Sequence, residues 1–327
     1  MLKTRYLAAA VVVGLALSAC SGASADGGGT EDYPKGPVEM SVGADPGSGF
    51  DLTMRTLVDV LRKEKIVSSP MPIENHPGAD SAVWLAQMVE RKKSDDDQVS
   101  VTSLVMMTNK ARGQSKYNYD DVTMICRLLS EYFVVVTSAD SKYKDLKSVL
   151  DAVVKDPKSV PVGAASDDQL PFALLVDAAG GDASKINFVA YDGGGEQSAA
   201  LLAGDIKVAI AGTSEFLPLI DSGKLRALTV VGEKRLKGLP DVPTSVEQGY
   251  DVTLSNWRGI YGPPGMPDYA VAYWKKALKK AVSSDAWKKA AKKNQWETTF
   301  MTGDEMNTYL KSANQQVEDA ISKTGNS

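Results

Sequence analysis

The sequence predicts an α/β fold in two domains, and three observations carry that expectation. At 327 residues the chain exceeds a typical domain and suits two of roughly 100 to 150 residues each. Short apolar runs alternate with stretches of helical periodicity, the pattern of βα units and a mainly parallel sheet. Two Gly-rich strand-to-helix turns, at 42–55 and 191–200, lie far apart in the chain. At each, free N–H groups opening a helix and its dipole favour an anionic group, and glycine lets the backbone come close to it.

Taken in order, residues 1–19 carry Lys3 and Arg5, an apolar run over 6–17 and then Leu17-Ser18-Ala19-Cys20. This is an export signal, too short in its apolar part to anchor permanently, ending in a sequence that resembles the lipobox of bacterial lipoproteins. Cys20 is expected to become the lipidated N-terminus, against the competing reading of a plain secretory signal with an incidental cysteine. Residues 20–32, rich in Ser, Gly and acidic side chains, read as a flexible tether.

Val38, Met40 and Val42 alternate as a half-buried strand, and Met54, Leu57, Val58 and Leu61 fall at helical spacing after the first turn. Residues 74–81 read as a turn, followed by a helix with Val83, Trp84, Met88 and Val89 on one face. Strands are expected at 99–104, 124–129 and 133–137. Then come a helix at 146–154, a strand at 160–164, a polar turn at 165–169 and a helix from Pro171 to Ala179. A strand at 186–190 leads into the second Gly-rich turn and a short helix at 198–203. A strand at 208–211, a turn at 212–214, a helix at 217–220 and a strand at 225–231 complete the series. In such sheets ligands sit beyond the carboxyl ends of the strands, where these polar turns would cluster. A strand at 257–261 returns to the first domain. The stripe Ala270, Tyr273, Trp274, Ala277, Leu278, Ala281, Val282 reads as core packing, with a lysine-rich face that is solvated or serves docking. Thr302 to Glu305 reads as a capping box opening the last helix.

Composition excludes several classes. With Lys3 and Arg5 gone, 35 basic and 41 acidic residues leave a formal charge of −6, and no basic groove with interleaved aromatics suggests nucleic acid. One histidine and one available cysteine cannot build a His/Cys metal site, and no disulfide is expected. Cys126 reads as a small core residue. His76 lacks an Asp-His or Ser-His context for catalysis. Gly193, Gly195 and Ser198 imitate a dinucleotide turn, but Ser stands in the third glycine's place and no Walker lysine follows a Gly-rich loop. Ser48 lacks the nucleophile elbow of a serine hydrolase. No enzyme, cofactor or metal is expected.

The order of motifs resembles the solute receptors of tripartite tricarboxylate transporters, the Bug receptors. The resemblance spans nearly all of 33–323 and rests on Tyr33-Pro34-Lys35-Gly36-Pro37-Val38, Gly47 to Arg55 with Asp51, and Glu74-Asn75 before Pro77-Gly78-Ala79. It continues through Tyr191-Asp192-Gly193-Gly194, Ser222-Gly223-Lys224-Leu225-Arg226-Ala227-Leu228 and Leu239-Pro240-Asp241-Val242-Pro243-Thr244. It implies a two-domain, periplasmic-binding-protein-like fold of type II, a Venus flytrap with its ligand cleft between domains. Domain 1 would comprise 33–137 plus 253–327 and domain 2 residues 138–252. The ligand, a small carboxylate, would be gripped by Gly47, Ser48, Gly49 and Asp51 from one wall and Tyr191, Gly193, Gly194 and Gly195 from the other. Gly78, Ala79, Ser166 and Thr213 match neighbouring cleft positions. The implied partners are membrane transporter subunits and, through the lipid, the membrane itself; the receptor is expected to be a monomer on the extracytoplasmic side.

The departures are acidic. Asp80, Asp167, Asp168 and Asp192 stand where the family commonly has small or basic residues, and Glu196 follows the glycines. Either they sit on a solvated rim while backbone N–H groups bind a carboxylate, or the ligand has a cationic or neutral polar end, as an amino acid does. Phe50, Tyr191 and Trp257 are candidates to shape the pocket. A receptor that presents its ligand to a sensor instead of a transporter would read the same way.

Overall fold

The structure is a computed structural model that describes residues 33–325. The expected signal, lipidated Cys20 and tether lie outside the described residues. From the first strand the chain runs β1 (Glu39–Val42), α1 (Gly49–Lys63), β2 (Ile73–Asn75), α2 (Ala82–Arg91), β3 (Gln98–Thr102), α3 (Val105–Ala111) and β4 (Thr123–Glu131). It continues with β5 (Phe133–Ser138), α4 (Leu146–Lys155), β6 (Val162–Ala164), α5 (Ser166–Ala178), β7 (Phe188–Ala190), α6 (Gly194–Ala203), β8 (Val208–Gly212), α7 (Thr213–Asp221) and β9 (Leu225–Val231). It ends with β10 (Asn256–Gly262), α8 (Asp268–Ser283), α9 (Asp285–Asn294), β11 (Glu297–Met301) and α10 (Gly303–Thr324).

Among these residues the strands form a six-stranded sheet ordered β11-β4-β10-β3-β1-β2 and a five-stranded sheet ordered β7-β6-β8-β5-β9. Both are mixed, which corrects the expectation of mainly parallel sheets. Strands joined through helices are parallel, β1 to β2 and β3, and β6 to β7 and β8. Strands that carry the chain between sheets are antiparallel: β5 to β8 and β9, and β10 to β3 and β4. Tyr132 alone separates β4 from β5. That residue is also where the chain changes sheets. Residues 133–137, expected in domain 1, pair in the second sheet.

Each sheet carries helices on both faces, with Trp84 and Met88 of α2 against Tyr261 behind the first and Leu201 of α6 and Phe216 of α7 against Val134 and Val136 behind the second. Met54, Leu57 and Leu61 of α1 pack with Trp274 and Leu278 of α8 over the first sheet, and Cys126 is buried there as expected. Val149, Phe172, Leu175, Val208 and Ile210 form the second core. The C-terminal helix α10 adds Met306, Leu310, Val317 and Ile321 to that second core, touching both α3 and α5. It therefore ties the two lobes together, although the sequence assigns its segment to the first. Trp257 is 1% exposed and meets Tyr309 edge-on with centroids 6.1 Å apart, so it belongs to the core. Val83 is 46% exposed, leaving Trp84, Leu85 and Met88 as the buried face of α2. Thr302 makes no side-chain cap hydrogen bond, so the expected capping box does not form.

Leu310 is 1% exposed in the core that holds α10 to the second lobe. Leu310→Ala is expected to lower unfolding stability by about 2–5 kcal/mol, measured by urea denaturation. A change under roughly 1 kcal/mol would show that α10 does not support the assembled core.

Candidate functional site

The first Gly-rich turn is braced from inside. Gly47 holds φ at +88°, a conformation that favours glycine, and donates its N–H to Asp51 Oδ2 at 2.9 Å. Asp51 also accepts from Arg55 Nε at 2.8 Å and Asn75 Nδ2 at 3.1 Å. Burial pushes the Asp51 carboxyl up, but the hydrogen bonds from Arg55, Gly47 and Asn75 outweigh it and hold the group below its usual range. Ser48 caps α1 by accepting from Asp51 N at 3.3 Å. The turn is thereby fixed with the first amide of α1 pointing away from it.

That amide, Gly49 N, donates across the cleft to Glu215 Oε2 at 3.1 Å. The same oxygen accepts from Gly194 N, the first amide of α6, at 2.8 Å. One carboxyl group on α7 thus receives an N–H from a helix of each lobe. The approach is close enough to need glycine. A Cβ on Gly194 would lie 2.6 Å from Glu215 Cβ, and one on Gly193 would lie 3.1 Å from Ser48 Cβ. A second buried carboxylate repeats the device beside it, with Glu131 Oε1 accepting from Ser214 N in the first turn of α7 at 2.7 Å.

Around this junction lies a cavity of about 50 Å³ whose wall includes Phe50, Asp80, Asp167, Asp168, Asp192 and Arg258 as well as Glu215. Burial is the largest influence on the Glu215 carboxyl; Arg258 opposes it and Glu131 adds to it, and the result is a pKa of about 7. Burial, a hydrogen bond to Asp45 on the opposite wall and the charges of Asp80, Asp45 and Glu196 raise Asp192 to about 6. Burial also raises Asp167, Asp168 and Asp80, reinforced at Asp168 by Asp167 and Glu215, and at Asp80 by Asp167. Arg258 is the cation on the cavity wall, 4% exposed and 5.0 Å above the Phe50 ring. Its Nη1 donates to Asn256 Oδ1 at 3.2 Å, and its Nη2 stands 3.7 Å from Glu131 Oε2. Arg258 Nε is buried without a hydrogen-bond partner among the described residues.

Of the residues expected at the site, Ser48, Gly49, Gly78 and Gly193 line the cavity and Gly194 supplies its N–H to Glu215. The others stand behind or beside the wall. Gly47 and Asp51 serve the turn, and Ala79, at φ +46°, precedes the wall residue Asp80. Ser166 Oγ donates to Asn109 Oδ1 at 3.1 Å, and Thr213 Oγ1 to Tyr132 O at 2.7 Å. Tyr191 packs on the core beneath β6, and a Cβ on Gly195 would sit 3.9 Å from Gly47 O. The solvated rim is right for exposed Glu196, which accepts from Asp192 N at 3.2 Å. It is wrong for Asp167 and Asp168, 6% and 4% exposed. Glu215, Glu131 and Arg258 were not anticipated at all.

Two walls from separate sheets, closing over a small polar cavity with converging helix N-termini, are the geometry of a receptor cleft. Residues 54–326 match the family model described as "Tripartite tricarboxylate transporter family receptor". The chain belongs to that receptor family. These receptors bind solutes and are not enzymes, and the two-domain periplasmic-binding-protein fold expected from the resemblance is the one observed. The "UPF0065 protein in gbd 5'region" of Cupriavidus necator is 26% identical over 298 residues, 90% of this chain and 89% of its own. The periplasmic binding protein BugD superposes with a TM-score of 0.82 at 22% identity, covering 90% of this chain and 99% of BugD. MatC of Rhodopseudomonas palustris, solved with bound malate, superposes at 0.80 with 20% identity over 88% of this chain and 100% of its own.

An acid whose pKa is raised by folding keeps its proton where the unfolded chain has lost it. The folded receptor therefore loses stability as pH climbs from about 4.5 through about 7, the interval over which Glu215 is shifted. Melting temperature without added solute is expected to fall over that range, and Glu215→Gln to flatten the fall, an effect on the order of 3 kcal/mol. A stability that rises with pH over this interval would contradict the placement of these carboxyl groups.

Proposed function

We propose that the protein is the extracytoplasmic receptor of a tripartite tricarboxylate-type transporter, which captures one small organic acid between its lobes and presents the closed form to the membrane subunits. The observation that carries this reading is the convergence of α1 and α6, helices from different lobes, on one point in the cavity. A solute that touches both walls only when they meet shifts the population toward closure, and a membrane partner can read that shift. The malate bound to MatC supports an organic acid as the ligand class. In this chain the acid's carboxylate meets Arg258, whose buried guanidinium has an Nε–H without a partner among the described residues. The sequence read as an export signal and Cys20 support a lipid-tethered receptor outside the cytoplasmic membrane.

Arg258→Met keeps a long apolar side chain at this position and removes the guanidinium that lies over Phe50. It is expected to weaken organic-acid binding by roughly 10- to 100-fold in isothermal titration calorimetry, as loss of a charged hydrogen bond does; unchanged affinity would remove Arg258 from the site. For the tether, Cys20→Ser expressed in a bacterium is expected to move the protein from the membrane to the soluble fraction. Membrane retention of that variant would contradict lipidation at Cys20.

A further inference from the structure

We infer that the solute of this receptor carries a protonated amine as well as its acid group, because Glu215 fills the anion position between the walls and leaves the cavity lined with carboxyl groups. The inference rests on the receptor reading above and narrows its ligand to the amino-acid class.

Converging helix N-termini make an anion site. Here the anion is built in: Glu215 Oε2 takes the N–H of Gly49 and of Gly194, and Glu215 Oε1 would lie 2.9 Å from a Cβ placed on Gly49. A solute carboxylate arriving at the same donors would have to share a buried site with Glu215, and two carboxylates so placed cannot both stay ionised.

The charge on the wall asks for the opposite sign. Asp80, Asp167, Asp168, Asp192 and Glu215 line the cavity with one guanidinium, Arg258, which also stands near Glu131; Arg112 behind the wall acts on Asp80 and Asp167, so the acids still outnumber the two cations. Asp168 lies within the electrostatic reach of both Asp167 and Glu215, and its buried position gives it little water to stabilise a charge. In their ionised form these acids only accept hydrogen bonds, and an ammonium group, with three donors and a positive charge, favours that form. An α-amino acid divides along the same line as the wall, its carboxylate toward Arg258 and its ammonium toward the acids. A dicarboxylate of similar size would add a second negative end to the acidic side.

The groups facing Glu215 also set a proton signature. They are the amides of α1 and α6, Arg258 on β10, Glu131 on β4, and Asp167 and Asp168 on α5, while Arg112 faces Asp80 and Asp167, and Asp45, Asp80 and Glu196 face Asp192. An ammonium entering among acids that hold protons favours their ionised forms, so binding releases protons; a second carboxylate would draw protons in.

The test uses the full-length receptor in detergent, titrated calorimetrically with amino acids and with the matching 2-hydroxy acids, such as L-aspartate against L-malate and L-alanine against L-lactate. Each pair differs only in ammonium for hydroxyl. The expected result is that the amino acid of a binding pair is favoured roughly tenfold or more, with net proton release measured in buffers of different ionisation enthalpy. Glu215→Gln and Asp168→Asn, each checked for a cooperative melt, should each narrow that preference. Equal or tighter binding of the hydroxy acids, proton uptake, or a preference untouched in both folded variants overturns the inference and leaves the receptor reading standing. Binding by no amino acid, hydroxy acid or dicarboxylate overturns both.

Discussion

The first amides of two helices need a hydrogen-bond partner in a place where water is scarce. Gly49 N and Gly194 N open α1 and α6, where an α-helix has no carbonyl to offer its leading N–H groups. Both find the same oxygen of Glu215. Several features of the chain follow from that one shared acceptor. Glycine is needed at 194 because a side chain would strike Glu215, and at 193 a side chain would crowd Ser48. The Asp51 brace is needed because the turn must aim Gly49 N at the opposite lobe. Glu215 can reach both amides only because β8 delivers α7 between them.

The arrangement has an electrostatic cost that the surroundings distribute. A buried carboxylate is costly unless it is hydrogen-bonded and paired. Glu215 has two amide donors and the field of Arg258, while Glu131 has Ser214 N and the nearer edge of the same guanidinium. Asp167 has the Ser103 hydroxyl at 3.0 Å from the other lobe. The remaining burden appears as proton affinity, with Asp80, Asp167, Asp168, Asp192 and Glu215 all raised. Several contacts that cross the cleft are thus carboxyl contacts, Gly49 to Glu215 and Ser103 to Asp167 among them, so the balance between open and closed forms is tied to the charge that enters the cavity.

Much of this was legible in the sequence. The strand, glycines and helical spacing around residues 42–61 gave α1 and its turn, and the glycines at 193–195 gave the facing one. Two helices were expected to start later than they do. Pro171 suits a first helical position, yet α5 already starts at Ser166, so Asp167 and Asp168 belong to a buried first turn and not to an open loop. In α7, Pro218 likewise lies inside the helix, which opens four residues before the expected Leu217. Glu215 was hidden for a different reason. It is 166 positions from Gly49, and local periodicity carries no signal for a contact made by two lobes folding together. Arg258 sits in a strand read correctly, but the alternation of β10 does not say that its neighbour across the cleft is acidic. The helix α9 and strand β11 escaped because a lysine-rich run masks the buried Trp287 and Ala291.

The most direct measurement is the pH titration of the Gly49 and Gly194 amide resonances by nuclear magnetic resonance without added solute. If Glu215 joins the two walls, both amides shift together with one midpoint near 7, the value its environment gives Glu215, and both shifts vanish in Glu215→Gln. Amides that titrate at separate midpoints, or that do not respond to Glu215, would contradict the account.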